Sequence, residues 1–162
     1  MRTRLYLPVA FLWGMALAPV TAQAPGMLEV AIDVELDCPS CAQGLERRLG
    51  RIDQVALVAV WAGDGRIVVT SEPGAGVDLT AIRDAVRNAG FIPDEIRVTA
   101  VGTVGGAPQA PALELPDGEV LRLDPADVGL PSPGHTARLV GVVQFGARGE
   151  PPLVLVQSAD AP

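Results

Sequence analysis

The chain has 162 residues and a formal net charge of −7, and about half of it is apolar. That length holds one ordinary domain, or one small domain with an appendage. All twelve cationic residues are arginine, and aromatics make up only 4% of the chain. An acidic chain with no basic stripe and no aromatic interleaving argues against a nucleic-acid partner, since phosphate contacts need clustered cations.

Residues 1–24 read as a secretory signal peptide. Arg2 and Arg4 form a positive n-region, an apolar run follows over 5–20, and Ala22-Gln23-Ala24 is a small-residue cleavage site. The run is shorter than the roughly 20 residues that a spanning helix needs. Cleavage would remove two arginines and no acid, taking the net charge from −7 to −9. No cysteine stands at the cleavage point to carry a lipid. The mature protein is expected to be secreted, periplasmic in a Gram-negative cell, with no stable membrane insertion.

Along 27–36, Leu28, Val30, Ile32, Val34 and Leu36 alternate with Glu29, Ala31, Asp33 and Glu35, the period of a half-buried strand. The only two cysteines follow, in Leu36-Asp37-Cys38-Pro39-Ser40-Cys41-Ala42. Cys41, Leu45, Leu49 and Ile52 then share one helical face, with Ser40 as the expected N-cap and Gly50 as the stop. Strands are expected at 55–61 and 66–71 around Gly63-Asp64-Gly65. Asp78 is expected to cap a helix carrying Leu79, Ile82, Val86 and Ala89, and 95–101 reads as a fourth strand. This order predicts a ferredoxin-like βαββαβ sandwich over 27–101. Residues 102–111, rich in glycine and proline, read as a linker. Residues 112–158 read as a small β-rich unit, with little core of its own at about fifty residues.

Two thiols on one turn, at the N-terminus of a helix, meet unpaired N–H groups and a partial positive charge, which favour thiolate over thiol. Such a pair suits a soft ion, Cu(I) or Hg(II), in a two-sulfur site. Zn(II) prefers four ligands and would need further donors, of which Asp37 is the nearest in sequence. The same pair suits a disulfide, structural or redox-active, in an oxidising compartment. His135, the lone histidine, reads as surface, Phe91 as core and Trp61 as the end of a strand. The chain shows no serine–histidine–aspartate set and no phosphate loop, and it is not expected to be an enzyme; the rival readings are a thiol–disulfide oxidoreductase and a binding module with a locked disulfide.

The cysteine turn, with Leu45-Glu46 one helical turn on and Ala89-Gly90-Phe91 before the last strand of that half, resembles the heavy-metal-associated domain family. That family comprises small copper chaperones, periplasmic mercuric-ion-binding proteins and the N-terminal domains of metal-pumping ATPases. Its pattern is Gly-Met-x-Cys-x-x-Cys-Ala; here Glu35 and Leu36 stand at the first two positions. The resemblance implies a ferredoxin-like fold, Cys38 and Cys41 as metal ligands, Leu36 packed under the loop and Phe91 as the aromatic beside the site. It also implies delivery of the ion to a membrane metal transporter.

Overall fold

The computed structural model describes residues 24–125, 128–147 and 149–161. All but the last residue of the expected signal peptide lies outside them. The elements are β1 (Gly26–Val34), α1 (Pro39–Leu49), β2 (Val55–Trp61), a 3-10 turn at Ala62–Asp64, β3 (Arg66–Ser71), α2 (Leu79–Asn88), β4 (Pro93–Ala107), β5 (Ala110–Glu114), β6 (Val120–Asp124), β7 (Thr136–Gln144) and β8 (Leu153–Asp160). Among the described residues no helix is long and apolar enough to cross a membrane.

One eight-stranded sheet runs β2-β3-β1-β4-β5-β6-β8-β7, and β7 returns to pair with β4. The five strands β4, β5, β6, β8 and β7 therefore close into a mixed barrel, in which only β6 and β8 are parallel. The path of β4 to β7 is a Greek key: three successive strands, then a fourth that comes back beside the first. This architecture corrects the expectation of a ferredoxin-like βαββαβ sandwich with a small β-rich appendage. The reason lies in β4, which continues to Ala107 instead of ending near residue 101. The stretch 102–111, expected as a linker, is the far half of β4, a turn at Pro108 and Gln109, and the start of β5.

Along one edge β4 pairs first with β1, from Val34 opposite Pro93 to Gly26 opposite Val101. It then pairs with β5, from Thr103 opposite Glu114 to Ala107 opposite Ala110. Its other edge carries β7, from Arg97 opposite Val142 to Thr103 opposite Thr136. The change of neighbour falls at Gly102, where a Cβ would lie 2.5 Å from the Glu114 carbonyl oxygen and 2.9 Å from Leu113 Cγ. Only a residue without a side chain admits that approach.

Side chains on both parts of the sheet join one core. Val30, Ile32, Ile67, Val69, Ile96 and Val98 are buried with Leu45 and Leu49 of α1 and Leu79, Ile82 and Val86 of α2. The alternating positions Leu121, Leu123, Ala137, Leu139, Val154 and Val156 belong to the same cluster. Small barrels are filled by such inward side chains. Arg83 of α2 also lies over the Phe145 ring, 4.5 Å from its centroid, fastening the helix to the end of β7.

A group of carboxylates joins the N-terminus of α2 to the β5–β6 turn. Asp78 caps α2 as expected, its Oδ1 accepting from the Thr80 and Ala81 N–H groups at 2.8 and 3.0 Å. Asp117 accepts from the Gly76 N–H at 2.6 Å and from the Glu119 N–H at 3.1 Å. Burial, then the charges of Asp117 and Asp78, raise the Glu119 carboxyl above its ordinary 4.5. A raised folded value favours folding of the protonated form. That contribution is complete below the unfolded value and is lost as pH rises through the folded one. Glu119→Gln is expected to remove this loss. The variant should be more stable than wild type near neutral pH and should show a flatter dependence on pH, measured by urea unfolding at a series of pH values.

Candidate functional site

The cysteine turn is held from below by its neighbours in sequence. Leu36 and Leu45 are fully buried, while Cys41 and Ala42 pack against the edge of the same core. Between these anchors Asp37, Pro39 and Ser40 are exposed, and Cys38 and Cys41 are half-buried. The apolar residues thus pin both ends of the turn and leave its tip open to solvent.

Cys38 is the N-cap of α1, with extended backbone angles of φ −108° and ψ 111°. This corrects the expectation of Ser40. Pro39 occupies the first helical position, where its fixed φ suits the helix and its missing N–H costs nothing. The Cys38 carbonyl accepts from the Cys41 and Ala42 N–H groups, each at 3.1 Å. The Cys38 sulfur also accepts from the Cys41 N–H at 3.3 Å, replacing the oxygen that usually caps a helix. It lies 3.1 Å from Ser40 Oγ, so a hydroxyl stands ready to donate to it. No acidic residue occupies the first turn of α1.

The two Cα atoms are 5.2 Å apart, and the sulfurs of Cys38 and Cys41 are at bonding distance, as a disulfide. Reduction turns the same pair into two thiols whose sulfurs start from one point. The Cys41 N–H and the Ser40 hydroxyl beside the Cys38 sulfur are donors suited to its anionic form. What the turn presents is two convergent soft donors. Among the described residues no three of histidine, cysteine, aspartate and glutamate come together as a metal-holding group. Asp37 is therefore not brought in as a third ligand. The donor set fits an ion content with two sulfurs; a four-coordinate ion such as Zn(II) would complete its shell from outside this set.

The other residues singled out in the sequence lie elsewhere. Phe91 packs, half-buried, against the main core. His135 is exposed in the loop before β7, its Nδ1 3.1 Å from the Ser132 carbonyl oxygen, and its own carbonyl accepts from the Val104 N–H at 2.9 Å. It serves to lay that loop on β4. Trp61 ends β2 and is 47% exposed.

Two clefts had no signal in the sequence. One, of about 850 Å³, lies between α2 and the loop after β7 and is lined by Arg83, Asp84, Arg87 and Glu150 among others. Arg83 is engaged with Asp84 at 2.8 Å, and among the described lining residues no histidine or cysteine stands beside the Thr80 hydroxyl. The other, of about 540 Å³, runs between α1 and β2. No family model, no curated protein and no solved structure matches this chain.

Proposed function

We propose that this is a secreted, non-enzymatic protein that captures a thiophilic metal ion between Cys38 and Cys41 and passes it on. The observation that carries the reading is the convergence of two sulfurs at the solvent-facing end of α1, one of them accepting a backbone N–H. In the reduced protein Cu(I) or Hg(II) would be bound by two thiolates, with one proton released from each thiol still protonated. Because the tip is open, a thiolate from an acceptor, such as a membrane metal transporter, can add as a third ligand. The ion then leaves as the Cys38 and Cys41 bonds break in turn. The likeness of the turn to the heavy-metal-associated pattern supports the ligands; it does not extend to the architecture.

A second reading is favoured by the sulfurs being at bonding distance: a thiol–disulfide oxidoreductase. There a substrate dithiol attacks the Cys38–Cys41 bond, forms a mixed disulfide and leaves oxidised, while two electrons pass to the pair.

Titration of the reduced protein with Cu(I), Hg(II) and Zn(II) under anaerobic conditions separates the two. The expected result is one ion per chain, a sulfur-to-metal charge-transfer band, and tighter binding of the two soft ions than of Zn(II). Cys38→Ser and Cys41→Ser should each abolish stoichiometric binding while leaving the fold intact, since the turn is anchored by Leu36 and Leu45. Absence of the band with every ion overturns the metal reading. Catalysed reduction of insulin disulfides by the reduced pair, the reverse of that step with dithiothreitol as electron source, would establish the oxidoreductase instead.

A further inference from the structure

Closure of the barrel removes the edges of β5, β6, β7 and β8, and β1, β3 and β4 are flanked on both sides. Among the described strands β2 alone keeps an open edge; a bulge between Val55 and Leu57 interrupts its first residues, and its composition does nothing to protect the rest. Its residues, Val-Ala-Leu-Val-Ala-Val-Trp, include no charge and no proline. Edge strands that stay solitary carry such guards, because their unpaired N–H and C=O groups template another strand. Leu57, 62% exposed, and Trp61, 47% exposed, stand on this strand. The register sets Leu57, Ala59 and Trp61 opposite Thr70, Val68 and Arg66. They form an apolar stripe on one face, while Val58, on the other, is buried beneath the helices.

The surface beside the edge is complementary to itself. The groove between α1 and β2 is lined by Glu46 and Arg47 together with Gln43, Gly50 and residues 55–58 of the strand. Glu46 and Arg47 are adjacent and both exposed. A two-fold axis through the middle of β2 runs the two copies of α1 antiparallel beside each other. Glu46 of one copy would then be available to Arg47 of the second, and Arg47 to Glu46. The strands themselves carry no charge.

We infer that the protein forms a closed two-fold dimer by antiparallel pairing of β2 with β2 of a second copy, flanked by reciprocal Glu46–Arg47 pairs. The partner is a second copy because this arrangement satisfies a strand edge, an apolar stripe and both signs of charge with one surface. Such an isologous contact uses up the open edge and stops at two. The inference uses neither cysteine, so its failure leaves the proposed function untouched, and the reverse holds as well.

The test is sedimentation equilibrium of the protein as a function of concentration. The expected species is a dimer that dissociates reversibly on dilution, with slowed amide exchange in β2 at high concentration. Leu57→Lys combined with Trp61→Lys, both at exposed positions that leave the core intact, should weaken association at least tenfold. Glu46→Arg should weaken it by placing like charges across the axis, and adding Arg47→Glu should restore it. A monomer up to about 1 mM, growth beyond two copies, unchanged association in the double lysine variant, or no restoration by the charge swap overturns the inference.

Discussion

Gly102→Val is expected to cost more than about 3 kcal/mol, toward or beyond the upper end of overpacking penalties. A Cβ at this position would meet the Glu114 carbonyl oxygen at 2.5 Å and Leu113 Cγ at 2.9 Å. The first of these is backbone and cannot rotate aside, and valine adds two methyl groups beyond the Cβ. Relief requires β5 to retreat from β4 where Thr103 pairs with Glu114. That retreat opens the barrel next to Leu113, which is fully buried. A domain of this size has about 5–15 kcal/mol in total, so a large share of the folded population is at stake. Gly44→Ala is the control. It lies within α1 and no atom approaches the added Cβ within 4 Å. Alanine there should stabilise by up to about 1 kcal/mol through helix propensity alone. Urea midpoints that move in opposite directions for the two variants are the expected result; equal midpoints for Gly102→Val and wild type would mean that β4 does not pass from β1 to β5 at this residue.

The same glycine shows where sequence reading stops. A run such as Gly102-Thr103-Val104-Gly105-Gly106 has the composition of a linker. Its glycines are needed because another strand lies close by, and that neighbour is set by residues far along the chain. Local signals were legible. The bounds read for the second and third strands match β2 and β3, and Asp78 caps α2 as its position suggested. Even there, a bulge in β1 between Met27 and Glu29 shifts the alternation, so that Met27 is buried and Leu28 is half-exposed. A strict period of two does not foresee a bulge.

The tail was legible as β-rich, and β5, β6, β7 and β8 form there. Their closure onto β4 was not, because periodicity states which face is apolar and not which strand lies alongside. The candidate site was legible for the opposite reason. Cys38 and Cys41 are three residues apart, and one helical turn brings them together without help from distant chain. The approach of Asp117 to the Gly76 N–H and the open edge of β2 depend on long-range placement and left no mark in the local pattern.

Leu139→Ala is expected to destabilise the whole described structure by about 2–5 kcal/mol, the range for deleting a fully buried leucine side chain. Leu139 is inaccessible to solvent and pairs with Ala100 of β4, which is also fully buried. Two residues back, Val98 is opposite Val30 of β1, and Leu139, Ala100, Val98 and Val30 belong to one cluster with Leu45 and Leu49 of α1 and Ile82 and Val86 of α2. A cavity at Leu139 should therefore be felt at β2, where Trp61 provides a fluorescence signal remote from the mutated strand. Trp61 fluorescence and far-UV circular dichroism should report a single transition, shifted together toward lower urea with an unchanged slope. Had the tail been an independent unit, the variant would melt in two steps, with the Trp61 transition left at its wild-type midpoint. A shared strand and a shared core make that separation costly: releasing β7 and β8 uncovers the far edge of β4 and the side chains that the helices need beneath them.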